Sequence, residues 1–286
     1  MNKKNDFSQK MHSYLRHPAS RIMMILVKLA ALITFTVLIF LIVYILVHGV
    51  PYLKPSLFSL HYNSENASLM PALINTVIMT LLSLLLAVPI GIFSAIFLAE
   101  YAGKGNKFVD IIRLTTETLS GIPSIVYGLF GMLFFVSTCH WGFSLLAGAF
   151  TLAIMILPLI MRTTEEALLS VPDSYREGSF GLGAGKLRTV FYIVLPSAVP
   201  GILAGVILAI GRIVGETAAL IYTAGSVAQV PSSVLGSGRT LAVHMYLLAS
   251  EGLYMDQAYA TAVILLVLVV VINTLSGMVA KKLTKA

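Results

Sequence analysis

The sequence predicts an all-α integral membrane protein with six transmembrane helices, and three observations support that prediction. Only 11% of the 286 residues are Asp, Glu, Lys or Arg, whereas 58% are hydrophobic, so the chain has too few charges for a water-soluble surface. Its mean hydropathy is +0.92. Stretches without a charged residue recur, and most are long enough for a spanning helix of about 20 apolar residues. These charge-free runs are 29–53, 66–99, 118–161, 189–211, 217–238 and 257–280.

The first two runs each predict one transmembrane helix. A basic tail, 1–21, precedes an almost wholly apolar stretch that ends at Gly49 and Pro51, which predicts a first helix over 22–48. That stretch is far longer than the roughly 7–15 apolar residues of a cleavable signal, so the helix is expected to be retained. A second helix is predicted over 70–99.

The later runs predict four more helices. Run 118–161 is too long for one span, and a polar cluster over 137–142 that contains Trp141 divides it into the third and fourth helices. A fifth helix is predicted over 198–222, since 229–238 is rich in Pro, Gly and Ser and is expected to be a loop. A sixth is predicted over 257–280.

The distribution of basic residues predicts the orientation. Six spans place both termini on one side of the membrane. Lys and Arg cluster in the N-terminal tail, in the connections 100–113 and 162–196 and at the C-terminus, whereas the opposite loops carry only Lys54 and Arg239. The positive-inside rule therefore predicts that both termini are cytoplasmic. The net charge of +7 then requires no nucleic-acid partner.

The cytoplasmic connection is predicted to hold two short helices. Pro172 stops the fourth span, and Ser174 and Glu177 have the spacing of a capping box that would start the first short helix. Glycines then permit a turn, and a second helix is predicted over 186–194, ended by Pro196. Its apolar face, at helical spacing, would lie on the membrane or insert into a groove of another protein, and the spacing leaves both open. That face consists of Leu187, Val190, Phe191 and Val194.

This connection resembles the EAA signature of bacterial ATP-binding-cassette (ABC) import permeases. The glutamate Glu177, the glycine Gly183 and the Ile-x-Leu-Pro end are in register, while Gly178 and Ser179 replace two alanines. The resemblance implies a type I ABC importer permease (MetI-like) fold over 70–281, with 172–196 as the loop that couples to a cytoplasmic ATPase subunit. The residues implied in that coupling are Glu177, Gly178, Ser179, Gly183, Leu187, Val190, Phe191, Ile193, Leu195 and Pro196.

Three further stretches resemble the phosphate-specific permeases of this family. They are Ser120–Gly131 (SGIPSIVYGLFG), Gly215–Leu220 (GETAAL) and Thr240–Tyr246 (TLAVHMY). The resemblance implies phosphate import across the bacterial cytoplasmic membrane by an assembly with a homologous permease subunit, a dimer of ATP-binding subunits and an extracytoplasmic phosphate-binding protein. The alternatives are the same fold importing sulfate or molybdate, and an ATP-independent carrier, which would have no use for the coupling loop.

The fifth predicted helix contains two charged residues, Arg212 and Glu216, one turn apart. A charge at the centre of a spanning helix costs about 2.5–3.5 kcal/mol on insertion scales. The two residues would either neutralise each other and hold helices together, or serve transport. The resemblance implies that Arg212, Glu216 and Thr217 belong to the phosphate pathway. Arginine suits an oxyanion because its fork donates two parallel hydrogen bonds, and Glu216 would accept the proton that hydrogenphosphate carries and sulfate lacks.

Other kinds of site are not predicted. The one cysteine, Cys139, has no Cys/His cluster around it in the sequence, and the glycines at 181–185 are not followed by Gly-Lys-Ser/Thr. We therefore expect no metal, no cofactor and no enzymatic activity, with ATP hydrolysis on a separate subunit. The pairs Gly201/Gly205 and Gly211/Gly215 have the small-xxx-small spacing of close helix packing.

Overall fold

The computed structural model of the protein describes residues 18–102 and 107–284, and these ranges contain helices and no strand. The predicted all-α fold is thus confirmed, while most of the basic tail and Lys104 lie outside the described residues. In chain order the helices are α1 (Pro18–Gly49), α2 (Met70–Tyr101), α3 (Lys107–Ser120), α4 (Ser124–Thr138), α5 (Leu145–Leu169), α6 (Asp173–Gly181), α7 (Lys186–Val214), α8 (Ala218–Ile221), α9 (Leu241–Glu251) and α10 (Met255–Thr284).

Five of these helices, α1, α2, α5, α7 and α10, are long and apolar enough to cross a membrane. The third predicted span differs from its prediction. Helices α3 and α4 meet at an angle of 100°, so together they form a sixth, broken span or a re-entrant segment. The break falls at Gly121, Ile122 and Pro123, because a proline disfavours helical backbone at the preceding residue.

Helix α1 is apolar on all sides, and its most apolar stretch has no buried residue. Such a helix is stable only in lipid or against other subunits. It packs on α10 near its C-terminal end, where a Cβ on Gly49 would lie 2.5 Å from Val263 Cγ2. Tyr44 and Tyr259 make an edge-to-face ring contact at 6.0 Å in the same interface.

Helices α2, α5 and α7 form the core of the protein. Small residues let their backbones approach: a Cβ on Gly201 would lie 2.6 Å from Ala167 Cβ, and one on Gly205 would lie 2.6 Å from Thr163 Cβ. The packing role predicted for these two glycines is confirmed. Gly211 and Gly215 face no neighbouring helix in the described ranges. The buried apolar side chains at the centre include Met79, Leu152, Ile156, Ile160, Ala209 and Ile213.

Helix α7 corrects two predictions. The second coupling helix and the fifth span are one continuous helix, since Pro196 does not end it, and this helix stops at Val214 rather than at 222. A π-helical segment, Val190–Val194, directly precedes Leu195 and Pro196. Its wider turn accommodates the proline, which lacks an N–H donor. Beyond Val214 the chain breaks at Gly215 and re-forms a helix only in α8.

The predicted loop is confirmed over 229–238, and it is ordered. The amides of Leu145 and Leu146 donate to the carbonyls of Gly236 and Val234, so the loop satisfies free N–H groups at the start of α5. Helix α9, which follows this loop, was not predicted. Its 11 residues are too few to span a bilayer, so the search for long charge-free runs could not detect it.

Candidate functional site

Two of the stretches that carry the family resemblance meet in space. Gly128 of α4 lies against α8, where an added Cβ would come within 2.8 Å of Ala219 Cα. One turn later, a Cβ on Gly131 would lie 2.7 Å from Thr223 Cγ2. Only glycine permits this contact of α4 with backbone, so Ser120–Gly131 and Gly215–Leu220 form one junction.

Arg212 lies next to this junction, in the last turn of α7. Its side chain is half-buried, and no hydrogen bond or ion pair joins it to any part of the chain that the structure describes. It interacts electrostatically with Tyr127, whose hydroxyl donates to the Leu119 carbonyl at 2.8 Å. The N–H groups of the Arg212 fork are therefore available to an anion.

Glu216 corrects the predicted geometry of the charged pair. It does not lie one turn along the same helix face, because α7 ends at Val214. Its side chain is buried, and Oε1 accepts a hydrogen bond from the Ala219 amide at 3.1 Å, which caps α8. Within the described ranges no ion pair joins Glu216 to Arg212. A direct charge pair that locks helices together is thus not what the structure contains.

Thr217 lines a cavity of about 630 Å³ between α1, α4, α8, α9 and α10. Most of the lining is apolar, and three tyrosine side chains, Tyr222, Tyr246 and Tyr259, also contribute. Arg212 and Glu216 do not line it. The three predicted pathway residues are therefore close in sequence, but of the three only Thr217 lines this cavity.

The predicted coupling loop consists of α6, a turn and the start of α7. Helix α6 begins at Asp173, directly after Pro172, and has no side-chain cap. The predicted capping box is wrong, because Ser174 already lies within the first turn of the helix. Asp173 instead places a carboxylate at the N-terminus, where the helix dipole favours a negative charge.

Gly183 makes the turn between the two helices. The Gly183 amide donates to the Phe180 carbonyl at 2.9 Å, and the Ala184 amide donates to the Ser179 carbonyl at 3.1 Å. This is the Schellman arrangement, which requires left-handed backbone at the residue after the cap. Gly183 has a φ of +83°, so the predicted requirement for glycine is confirmed.

The predicted apolar face of the second coupling helix is divided. Val190 and Val194 are 1% and 0% exposed and pack on the ends of α2 and α5. Leu187 and Phe191 remain exposed, at 66% and 37%. The face therefore anchors the loop to its own membrane domain with one half and offers the other half to solvent or to a partner.

The other predicted coupling residues also fall into two groups, those that contact the rest of the chain and those that are exposed. Ser179, which replaces an alanine of the signature, forms a 2.8 Å hydrogen bond with the hydroxyl of Thr189 and so joins the two short helices. Leu195 is half-buried. The exposed members are Glu177, Gly178, Gly183, Ile193 and Pro196.

Sequence reasoning missed the ion pair that fixes this loop. Arg176 Nη2 lies 2.6 Å from Glu100 Oε1 at the end of α2, and the two side chains are 15% and 8% exposed. The same guanidinium donates to the carbonyls of Leu168 and Val171 at the end of α5, at 2.9 and 2.7 Å. The bond with Glu100 raises the pKa of Arg176. The only sequence signal was a lone Glu at the end of a charge-free run.

Replacing Glu100 by Gln is expected to loosen α6, because removing one partner of a buried ion pair costs about 3 kcal/mol or more. Hydrogen exchange of the α6 amides, followed by mass spectrometry, should accelerate by roughly a hundredfold. Arg162→Gln is the matched control, since its pair with Glu166 is 60% and 64% exposed and contributes little. Equal exchange in the two variants would mean that the Glu100 pair does not hold α6.

Comparisons with known proteins agree with this architecture. Residues 87–285 match the family model described as binding-protein-dependent transport system inner membrane component. A probable ABC transporter permease protein, YqgI of Bacillus subtilis, is 35% identical over 90% of this chain and 94% of its own length. The phosphate transport system permease protein PstA of Pasteurella multocida is 33% identical over 92% and 94%.

The solved structures that match this chain support only its fold, because their sequence identity to it is low. An alginate ABC transporter crystallised with an alginate-bound periplasmic protein matches with a TM-score of 0.66 at 17% identity, over 90% of this chain and 95% of that one. The inward-facing methionine transporter MetNI matches with a TM-score of 0.63 at 22% identity, over 76% and 96%. The predicted MetI-like fold is confirmed.

Proposed function

The chain belongs to the family of binding-protein-dependent transport system inner membrane components, and on that premise we propose that it is the PstA-type permease subunit of an ATP-driven importer of inorganic phosphate. The observation that carries the proposal is the junction of α4 and α8. There the two stretches that resemble phosphate permeases pack against each other at Gly128 and Ala219. The guanidinium of Arg212, which has no hydrogen-bond or ion-pair partner within the described ranges, lies next to them.

Arg212 is the residue we assign to the anion. Its fork can donate two parallel hydrogen bonds to phosphate oxygens, and its charge persists at every physiological pH. The helix that carries it ends two residues later, at Val214, and irregular backbone within a membrane protein occurs where it is buried or borders a polar path. This break is consistent with a translocation path at the end of α7.

Glu216 and Thr217 complete the proposed pathway. One carboxylate oxygen of Glu216 is engaged by the Ala219 amide, which leaves the other to accept the proton of hydrogenphosphate. Sulfate has no such proton, so this contact would favour phosphate over sulfate. Thr217 would contribute to the pathway as a lining residue of the cavity beside α8.

The segment 172–196 is the proposed coupling loop, within a permease domain over 70–281. The side chains left exposed on it, among them Leu187 and Phe191, would enter a groove of a cytoplasmic ATP-binding subunit. The chain would form the pathway with a homologous permease subunit and receive phosphate from an extracytoplasmic binding protein. ATP hydrolysis would occur on the ATP-binding subunits, so the chain itself has no catalytic residue.

Co-purification tests the proposal against an ATP-independent carrier. Tagged chain, expressed with the other subunits, should retain the ATP-binding subunit through detergent extraction. The exposed loop residue Leu187 offers a specific variant: Leu187→Asp should release the ATP-binding subunit, because a charge would replace the apolar contact. If the unsubstituted chain does not retain the ATP-binding subunit, the ATP-independent carrier would be favoured.

We further propose that both termini are cytoplasmic, in a bacterial cytoplasmic membrane, as the distribution of Lys and Arg indicates. In a Cys139→Ser background, a membrane-impermeant thiol reagent should label cysteine at Ser64 or Ser233 in intact cells. Cysteine at Ser174 should react only after permeabilisation; all three positions are exposed in this structure. Lys104, outside the described residues, is assigned to the same side as Ser174. Reversed accessibility would contradict the orientation.

A further inference from the structure

Arg239 is a buried cation that neither the coupling loop nor the Arg212 region uses. It is the last residue but one before α9, and it is 6% exposed. Its backbone is held on both sides: its amide donates to the Val227 carbonyl at 2.9 Å, and its carbonyl accepts from Asn75 Nδ2 at 3.2 Å. The side chain thus starts from a fixed position in the fold.

The guanidinium of Arg239 has no hydrogen-bond partner on one edge. Nε and Nη2 are enclosed, and neither finds an acceptor in the described ranges. The contact it does make is with the ring of Tyr62, whose centroid lies 4.7 Å from Cζ. A ring face attracts the charge but accepts none of the in-plane N–H groups. A buried charge without a counter-ion is unfavourable, so an anion bound at this edge of the guanidinium would stabilise it.

Arg176 shows which kind of group the Nε and Nη2 edge of an arginine binds in this protein. Arg176 directs Nε and Nη2 at the carboxylate of Glu100, at 3.1 and 2.6 Å. Arg239 presents the equivalent pair of nitrogens, and no carboxylate of the described chain lies within ion-pair distance of it. An oxyanion has the two oxygens that this fork matches.

Two polar atoms of residues that adjoin Arg239 or contact its backbone are also enclosed without a partner in the described ranges. They are the hydroxyl oxygen of Thr240, the next residue, and the amide oxygen Oδ1 of Asn75, whose Nδ2 donates to the carbonyls of Gln229 and Arg239. The neighbouring His244 adds no charge, because burial, and then the charge of Arg239, lower its pKa to about 3 against a smaller opposing effect of the Ala67 backbone. The cluster therefore carries one positive charge, a hydroxyl able to donate, and an amide oxygen, Asn75 Oδ1, that can only accept.

We propose that Arg239 and Thr240 form a binding site for a small inorganic oxyanion, separate from Arg212. Tyr62 covers the guanidinium and lies in a segment, 60–65, whose other residues are exposed, so displacement of this segment opens the site to solvent. Because Nε and Nη2 are enclosed, a small anion would need a smaller displacement of this cover than the side chain of another protein. That the site would receive phosphate before it reaches Arg212 rests on the proposed function; oxyanion binding does not.

The test is equilibrium binding of radiolabelled inorganic phosphate to the purified full chain in lipid nanodiscs. An Arg212→Gln background removes the other assigned arginine, and binding should persist there. Adding Arg239→Gln should weaken binding at least tenfold. Tyr62→Glu, which places a carboxylate over the guanidinium, should do the same, whereas the neutral control Tyr62→Gln should not. Unlabelled phosphate should compete and chloride should not.

Three results would overturn the inference. The first is no binding by the Arg212→Gln chain, and the second is binding that Arg239→Gln and Tyr62→Glu leave unchanged. The third is failure of the unsubstituted chain to bind phosphate while Tyr62→Glu raises the unfolding temperature, which would assign the arginine to a carboxylate of another protein. Tyr62→Glu keeps the test decisive if Arg239→Gln does not fold. ATP-driven phosphate uptake by the unsubstituted complex is measured separately, so failure here is distinguishable from failure of the proposed function.

Discussion

Replacing Arg212 by Gln should abolish phosphate uptake while the complex still assembles. Glutamine cannot supply the charge or the two-pronged hydrogen bond, and charge-assisted hydrogen bonds contribute about 1.5–3 kcal/mol each, so a loss of at least a hundredfold in uptake is expected. Folding should survive, because no carboxylate in the described chain relies on Arg212 as its ion-pair partner. Radiolabelled phosphate uptake is the measurement, with the exposed substitution Lys54→Gln as control.

Two companion variants separate a transport residue from a structural one. Arg212→Gln combined with Glu216→Gln should remain inactive, since the anion has still lost its positive partner. If the two residues only neutralise each other, the double substitution should restore activity instead. Arg212→Lys should recover little, because lysine is a point charge without the fork. Full uptake by the double variant would remove Arg212 from the pathway.

Replacing Gly183 by Val should uncouple ATP hydrolysis from transport. Its φ of +83° is a conformation that a β-branched residue adopts only with strain, about 1–2 kcal/mol or more. The turn should therefore rearrange and move α6 relative to α7, while insertion into the membrane is unaffected. Uptake should fall severalfold with ATPase activity of the complex retained.

Gly185→Val is the matched control for this substitution. Gly185 has extended backbone, with φ −75° and ψ 162°, which valine adopts readily. Both positions have open space where a Cβ would be added, so the two variants differ in backbone conformation and not in crowding. Transport at the normal rate by an assembled Gly183→Val complex would exclude the turn as a coupling element.

The membrane-spanning part of this fold was largely predictable from charge alone. A long charge-free run has to be buried in lipid or protein, so the helices that became α1, α2, α5 and α10 were each located in the sequence. Helix ends were less predictable. In the sequence, Pro196 indicates a helix end because proline lacks an N–H donor. Helix α7 continues through it because the π-helical segment Val190–Val194 comes directly before Leu195 and Pro196, and the sequence does not reveal that segment.

The site was predictable where the signal is local and not where it depends on packing. The left-handed turn at Gly183 follows from glycine spacing. The pair of Arg176 with Glu100 joins residues from distant segments, and the burial of Val190 depends on the ends of α2 and α5. Likewise, the 3.6-residue period placed Glu216 on the face of Arg212 only because the helix was assumed to continue beyond Val214.

The most direct test of the proposed function is accumulation of radiolabelled phosphate by proteoliposomes that contain the purified complex, with its extracytoplasmic binding protein on the outer side. Accumulation should require ATP on the side of the ATP-binding subunits and should be prevented by unlabelled phosphate but not by sulfate or molybdate. Accumulation of phosphate without ATP, or of sulfate in preference to phosphate, would contradict the assignment of this chain to an ATP-driven phosphate importer.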